Sequence, residues 1–233
     1  VSTNGVTNQW RFFVVTNQLP TIAGTNGTNI AQTGTASNIA FLVFLAPNLS
    51  WPRTNNADLD LYVSANPSIT NLDETAIANS FRSLSRGGTE SVILPNVTEG
   101  TIYYAGVKSE DQQAGEFGFF AVSSSEPFSS KDTNGNIVAQ GYVLPAEIPD
   151  GLPGDPQAAL VFAFVTEPVI VQNVIVTNVV THENFGDLLG VLEHDQLFST
   201  LNNGQGIPNY IGSIEWIFDD SDSGQIVNAT FTD

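Results

Sequence analysis

Carboxylates are the residues of this chain best suited to chemistry. Asp58 and Asp60 stand two apart in a strand-like string, so both project from one strand face. Glu110 and Asp111 close another strand-like segment, and Asp150, Asp187, Asp219, Asp220 and Asp222 stand in loop-like sequence. A hard cation such as calcium needs several oxygen ligands converging from loops. Aspartate is also common in turns for a plainer reason, because its side chain satisfies local backbone donors. Both readings stay open for these positions.

Other chemistry finds no footing. Cysteine is absent, which removes thiol catalysis and disulfides together. There is no Gly-x-Ser-x-Gly elbow, phosphate loop or His-Glu-x-x-His pair. His182 and His194 are the two histidines, and their spacing across a turn has no zinc-ligand logic beside Glu183 or Glu193. His182 reads as a hydrogen-bonded residue at a strand end. The paired carboxylates Glu110-Asp111 and Asp219-Asp220 are adjacent in loops, so they do not define two faces of a substrate cleft. The chain is expected not to be an enzyme. Asp132, Asn134 and Asn136 are spaced as in a calcium loop, but the glycine comes two places early and the twelfth position is not acidic. Asn134-Gly135 predicts a hairpin there instead. The sequons at Asn26, Asn48, Asn96 and Asn228 carry no weight in a chain so rich in Asn and Thr.

Charge sets the partners. Acidic residues number 24 against 6 basic, for a net charge of −18, while charged residues make up only 13 % of the chain. The imbalance comes from missing Lys and Arg, so no basic footprint exists for nucleic acid or anionic lipid. The charge is compatible with bound divalent cations and equally with plain solubility. No apolar run reaches the length of a membrane span. Methionine is absent and the chain begins at Val1, which suggests a processed piece of a longer polypeptide.

These residues must be positioned by strands. Leu59, Leu61 and Val63 alternate with Asp58, Asp60 and Tyr62, a period of two that predicts one buried and one wet face. Trp10–Val15, Ser91–Leu94, Thr101–Val107 and Gly115–Val122 are further strand candidates, with a turn over 96–100. Ile39–Leu45 is almost continuously apolar, as in a central strand covered on both faces. Between the strands, Asn71 and Glu74 form a capping-box pair, Ile77, Phe81 and Leu84 share a helical face, and Gly87-Gly88 offers a stop. A short helix is expected there. Further on, Val169–Val180 is apolar on both alternating sides, as for a strand inside a sandwich. Ile214–Phe218 and Gln225–Phe231 predict a hairpin.

Two strings in the first half carry a resemblance: Asp58-Leu59-Asp60-Leu61-Tyr62-Val63 and Tyr103-Tyr104-Ala105-Gly106-Val107, with Arg86-Gly87-Gly88-Thr89-Glu90 between them. From about Asn38 to Val122 the chain resembles the bacterial pre-peptidase C-terminal domain, a β-sandwich appended to secreted peptidases and other exported proteins. In the second half the residues are Ile148-Pro149-Asp150-Gly151, then Thr181-His182, Gly186-Asp187-Leu188 and Leu192, then Trp216, Phe218, Asp219, Asp220, Gly224 and Ile226. From Ala146 to Asp233 the chain is similar to the P domain of proprotein convertases, a jelly-roll sandwich. It departs from that family at Glu193-His194-Asp195-Gln196, where a Ser-Pro-x-Gly-Thr turn is usual.

Together these readings predict an all-β protein of two tandem antiparallel sandwiches, spanning 1–138 and 139–233, with at most one or two short helices. The resemblances imply a non-catalytic accessory, binding or stabilising module of an exported bacterial surface or secreted protein, extracellular and stabilised by calcium. Its expected partners are other domains of a longer polypeptide or neighbouring copies. The alternative is a repeat subunit of a cell-surface assembly or filament.

Overall fold

The computed structural model describes residues 10–23, 29–31, 33–45, 57–111, 116–151, 157–194, 197–204, 212–219 and 226–232. The chain divides into two units, Val1–Glu167 and Pro168–Asp233. Antiparallel strands dominate both, as the alternating apolar pattern predicts. Among the described residues no helix is long and apolar enough to cross a membrane.

The first unit opens with β1 (Trp10–Thr16), β2 (Thr21–Ala23), β3 (Asn29–Ala31), β4 (Asn38–Leu45) and β5 (Leu59–Ser64). A 3-10 turn (Pro67–Asn71) and the short helix α1 (Glu74–Ala78) follow. Next come β6 (Phe81–Ser83), β7 (Glu90–Leu94), β8 (Ile102–Ser109) and β9 (Phe117–Ser124). The small strands β10 (Ser129–Lys131), β11 (Ile137–Ala139), β12 (Gly141–Tyr142) and β13 (Phe162–Ala163) complete it.

Two sheets, β1-β8-β5-β6 and β7-β4-β9, share one core. Alternation decides which side chains enter it. Leu59, Leu61 and Val63 of β5 meet Ile39, Phe41 and Val43 of β4, with Tyr103, Ala105 and Val107 beside them. Aromatic pairs bridge the layers: Phe41 stands edge-on to Tyr103 at 5.6 Å, and Phe13 stacks on Phe119 at 4.1 Å. β4 is the central strand of its sheet and is buried on both faces along most of its length. Its second face, Ala40 and Leu42, packs with Val122, Phe128 and Phe164.

That second layer places the boundary between units. The expected boundary after Val138, with the P-domain resemblance running from Ala146, puts Phe162 and Phe164 in the second domain. In the structure β13 pairs with β12, and Phe164, Phe162 and Tyr142 cover the outer side of β4 and β9. Residues 139–167 therefore belong to the first compact unit, and the division falls at Glu167/Pro168 rather than after Val138.

Two local expectations are corrected. The helix is shorter than the pattern predicts, and its cap is Asp73, whose carboxylate accepts from Ala76 N–H at 2.8 Å. Asn71 lies inside the preceding 3-10 turn, and Leu72 is left-handed at φ 57°. Phe81 leaves the helical pattern because β6 pairs with the edge of β5, opposite Val63. The face of β5 expected to be wet is buried as well. Ile69 and Ala76 of the helical excursion pack on Tyr62, with Trp10, Phe12 and Tyr104 alongside.

The second unit contains β14 (Ile175–His182), a 3-10 turn (Phe185–Asp187), β15 (Leu189–His194), β16 (Leu197–Asn203), β17 (Gly212–Asp219) and β18 (Ile226–Thr232). The order is β14-β17-β18 with β15-β16 as a separate hairpin. The expected closing hairpin is present as β17 paired with β18. Phe185, Ile214, Trp216 and Phe218 make its core, with Val176 and Val180 against them. The other side of β14 is open: Ile175 is 59 % and Val179 70 % exposed. The expectation that both sides of 169–180 are interior is thus met on one side of β14 only, since one core cluster can cover only one face of a single strand, and 169–173 are exposed and outside any strand.

Candidate functional site

The outer face of the β1-β8-β5-β6 sheet brings charged and aromatic side chains together. Alternation sends Asp60 and Tyr62 of β5 outward, and Lys108 of β8 stands in register between Asp60 and Trp10 of β1. Tyr104 and Gly106 complete the β8 row. Gly106 is required by close approach: a Cβ there would come within 2.8 Å of Phe12 and 3.0 Å of Trp10. The two rings are parallel to within 1°, with centroids 5.7 Å apart. Trp10 also lies 4.8 Å from Tyr62.

Asp60 is 6 % exposed, and the Tyr62 hydroxyl donates to its Oδ2 at 3.3 Å. The Lys108 ammonium is paired with Glu110. Burial pushes the Asp60 carboxyl up to about 6, the charges of Glu110 and Asp58 add to the rise, and Lys108 and the Tyr62 bond oppose it. The Tyr62 phenol is pushed up to about 12, first by burial and then by the Asp60 charge beside it.

The other sequence candidates are placed as follows. The Asp58 carbonyl accepts from Glu110 N–H at 2.8 Å, which sets those two residues opposite one another. The Asp58 carboxylate faces the β6–β7 connection, where Gly87 N–H donates to Oδ1 at 2.9 Å. Asp111 Oδ1 accepts from the Ser109 hydroxyl at 3.4 Å. Asp58, Asp60 and Glu110 are thus brought to one end of β5 and β8, whereas Asp150 is exposed on a later strandless stretch of the same unit. In the second unit Asp187 accepts from Asn184 Nδ2 at 2.7 Å, and Asp219 from Asn173 Nδ2 at 3.2 Å. Asp220 and Asp222 lie outside the described residues. Among the described residues, no three of His, Cys, Asp or Glu are grouped to hold a metal ion.

Two smaller readings have clear placements. Asp132 is a turn residue between β10 and β11: its Oδ1 accepts from the N–H groups of Asn134 and Asn136, both at 2.8 Å. These bonds, with one from the Asn136 amide, hold its carboxyl below the ordinary aspartate range. His182 closes β14, and Asn184 N–H donates to its Nδ1 at 3.0 Å.

Sequence reasoning misses the buried acid Glu90. Glu90 is 1 % exposed and accepts from the hydroxyls of Ser83 and Ser85. Burial, the largest effect, raises its pKa above the ordinary glutamate value. A signal exists: in 90–94 the period of two sets Glu90 on the same face as Val92 and Leu94. No protein-family model, no curated protein and no solved structure matches this chain.

Proposed function

We propose that the chain is a non-catalytic accessory module of an exported bacterial surface or secreted protein, binding or stabilising its neighbours in a longer polypeptide. The observation that carries this reading is where the polar side chains are used. Asp58 fastens a connection, Asp60 and Tyr62 pair under a helical excursion, and Asp132 holds its own hairpin turn. Among the described residues they secure strands and turns.

A second reading, a repeat subunit of an extracellular assembly, is favoured by β14. It is an edge strand without a charged residue until its terminal His182, and Ile175 and Val179 stand exposed on it. Natural edge strands are usually protected by charge, proline or a bulge. Deleting the module from its parent protein separates the two readings. As an accessory, its loss is expected to leave the turnover of any catalytic neighbour intact while retention or stability falls. As a repeat subunit, its loss abolishes assembly.

Calcium is the ion to test first. The proposal rests on the resemblance and on the like charge that Glu110 and Asp58 place on Asp60, which a cation would relieve, although among the described residues the three are not grouped as a ready ligand set. An ion present at one hundred times its dissociation constant adds about 2.7 kcal/mol, a rise of several degrees in melting temperature. Magnesium is expected to do less, because it dehydrates reluctantly. Asp58→Asn with Asp60→Asn should abolish the calcium shift if the first unit holds the ion, and Asp187→Asn if the second does. Equal melting temperatures in millimolar calcium and in chelator would remove calcium from the proposal.

A further inference from the structure

Glu90 begins β7 and pairs through its backbone with Val43 of β4, so it belongs to the β7-β4-β9 sheet. Its carboxylate is bound by the hydroxyl of Ser83, which lies in β6 of the opposite sheet, and by that of Ser85 in the connection. One buried acid therefore ties the edge strands of both layers together. The same corner is fastened beside it: Leu59 N–H donates to the Gly87 carbonyl at 2.8 Å, and Gly88 lies directly under the Leu45 side chain.

The groups around this acid give it no counter-charge. β4 contributes Val43, β6 contributes Ser83 and the connection contributes Ser85, all neutral, while Arg86 of the connection is exposed and forms no ion pair with Glu90 among the described residues. Arg82 of β6 is in register with Tyr62, one residue away from Ser83 and so on the opposite face of its strand. From the start of β5 the charge acting on Glu90 is that of Asp58, which is of the same sign. Among the described residues Glu90 makes no ion pair. An ionised carboxylate removed from water without a cation is costly even when hydrogen-bonded.

We propose that Glu90 is a proton-operated latch at the β6–β7 corner: protonated, it closes the corner between the two sheets, and ionised, it loosens it. The direction follows from linkage. Burial and Asp58 raise the folded-state pKa above 4.5, against the opposing bonds from Ser83 and Ser85. The folded state then holds the proton more tightly than the unfolded chain. Stability is gained as pH falls through the folded pKa, is complete below the unfolded value, and is lost as pH rises. The strain falls on the 84–90 connection, whose release would uncover the edges of β6 and β7. This inference does not depend on the accessory-module reading.

Hydrogen exchange across 84–94 in the full chain tests it, at pH 5 and 7.5 with rates corrected for intrinsic exchange. In the unaltered protein these amides are expected to open more readily at pH 7.5. Glu90→Gln keeps the shape and removes the charge, and should abolish that difference, leaving exchange as slow as in acid. Ser83→Ala with Ser85→Ala removes donors that favour the ion, and should move the midpoint of the pH dependence upward. Equal corrected rates at both pH values overturn the latch, as does a pH dependence that survives in Glu90→Gln. If Glu90→Gln does not fold, an unmoved midpoint in the double serine variant overturns it equally.

Discussion

Phe164→Ala is expected to destabilise the first unit by about 3–5 kcal/mol, the usual cost of emptying a buried phenylalanine site. Phe164 is 4 % exposed and lies 5.4 Å from Phe128, with Phe120 and Tyr142 also within ring contact. Such a loss is a large share of the stability of an ordinary domain. The location of the damage is the sharper readout. Because 139–167 covers the outer side of β4 and β9, exchange protection should fall in Asn38–Leu45 and Phe117–Ser124. Protection in Ile175–His182 and Gly212–Asp219 should stay as it was. A loss confined to those second-unit strands would return 158–165 to the second domain.

Asp60→Asn is expected to stabilise the protein at neutral pH, by about 2–3 kcal/mol. The folded-state pKa of about 6 lies above the ordinary 3.8, so the folded protein binds this proton more tightly than the unfolded chain. Stability is therefore present below pH 4, lost as pH rises from about 4 through about 6, and level above that. A rise of that size is equivalent to about 3 kcal/mol, and asparagine imitates the protonated side chain at every pH. Melting in chelator should show the variant roughly 5–10 °C higher at pH 7.5, with the gap closing toward pH 4. A gap independent of pH would mean that the effect comes from packing and not from the proton.

These two results probe different layers of the same molecule, and the difference bears on function. Burial raises both Asp60 and Glu90, so each of these two groups favours the folded state more in acid than in base. Asp132, whose carboxyl is lowered, works in the other direction, and the charge of Asp58 raises both Asp60 and Glu90, so those two acids are linked through it.

The all-β architecture was legible because strand formation here is local. The period of two in 59–63 and 90–94, and the continuous apolar run in 39–45, each name one burial pattern with its partner unspecified. The Asn134-Gly135 hairpin and the β17–β18 pair were legible for the same reason, since turn chemistry and alternation lie within a dozen residues. What alternation could not state is whether a face, once outward, is covered again. Asp60 and Tyr62 alternate as solvent residues do, yet Ile69 and Ala76 close over that face because the chain between β5 and β6 folds back onto it. Phe162 and Phe164 look like the start of a second domain, and only the docking of β12 and β13 on β4 and β9 assigns them to the first. The same holds for the acids. Their number and spacing are in the sequence, but burial and neighbouring charge, which raise Asp60 and Glu90, are properties of the packed sheets alone.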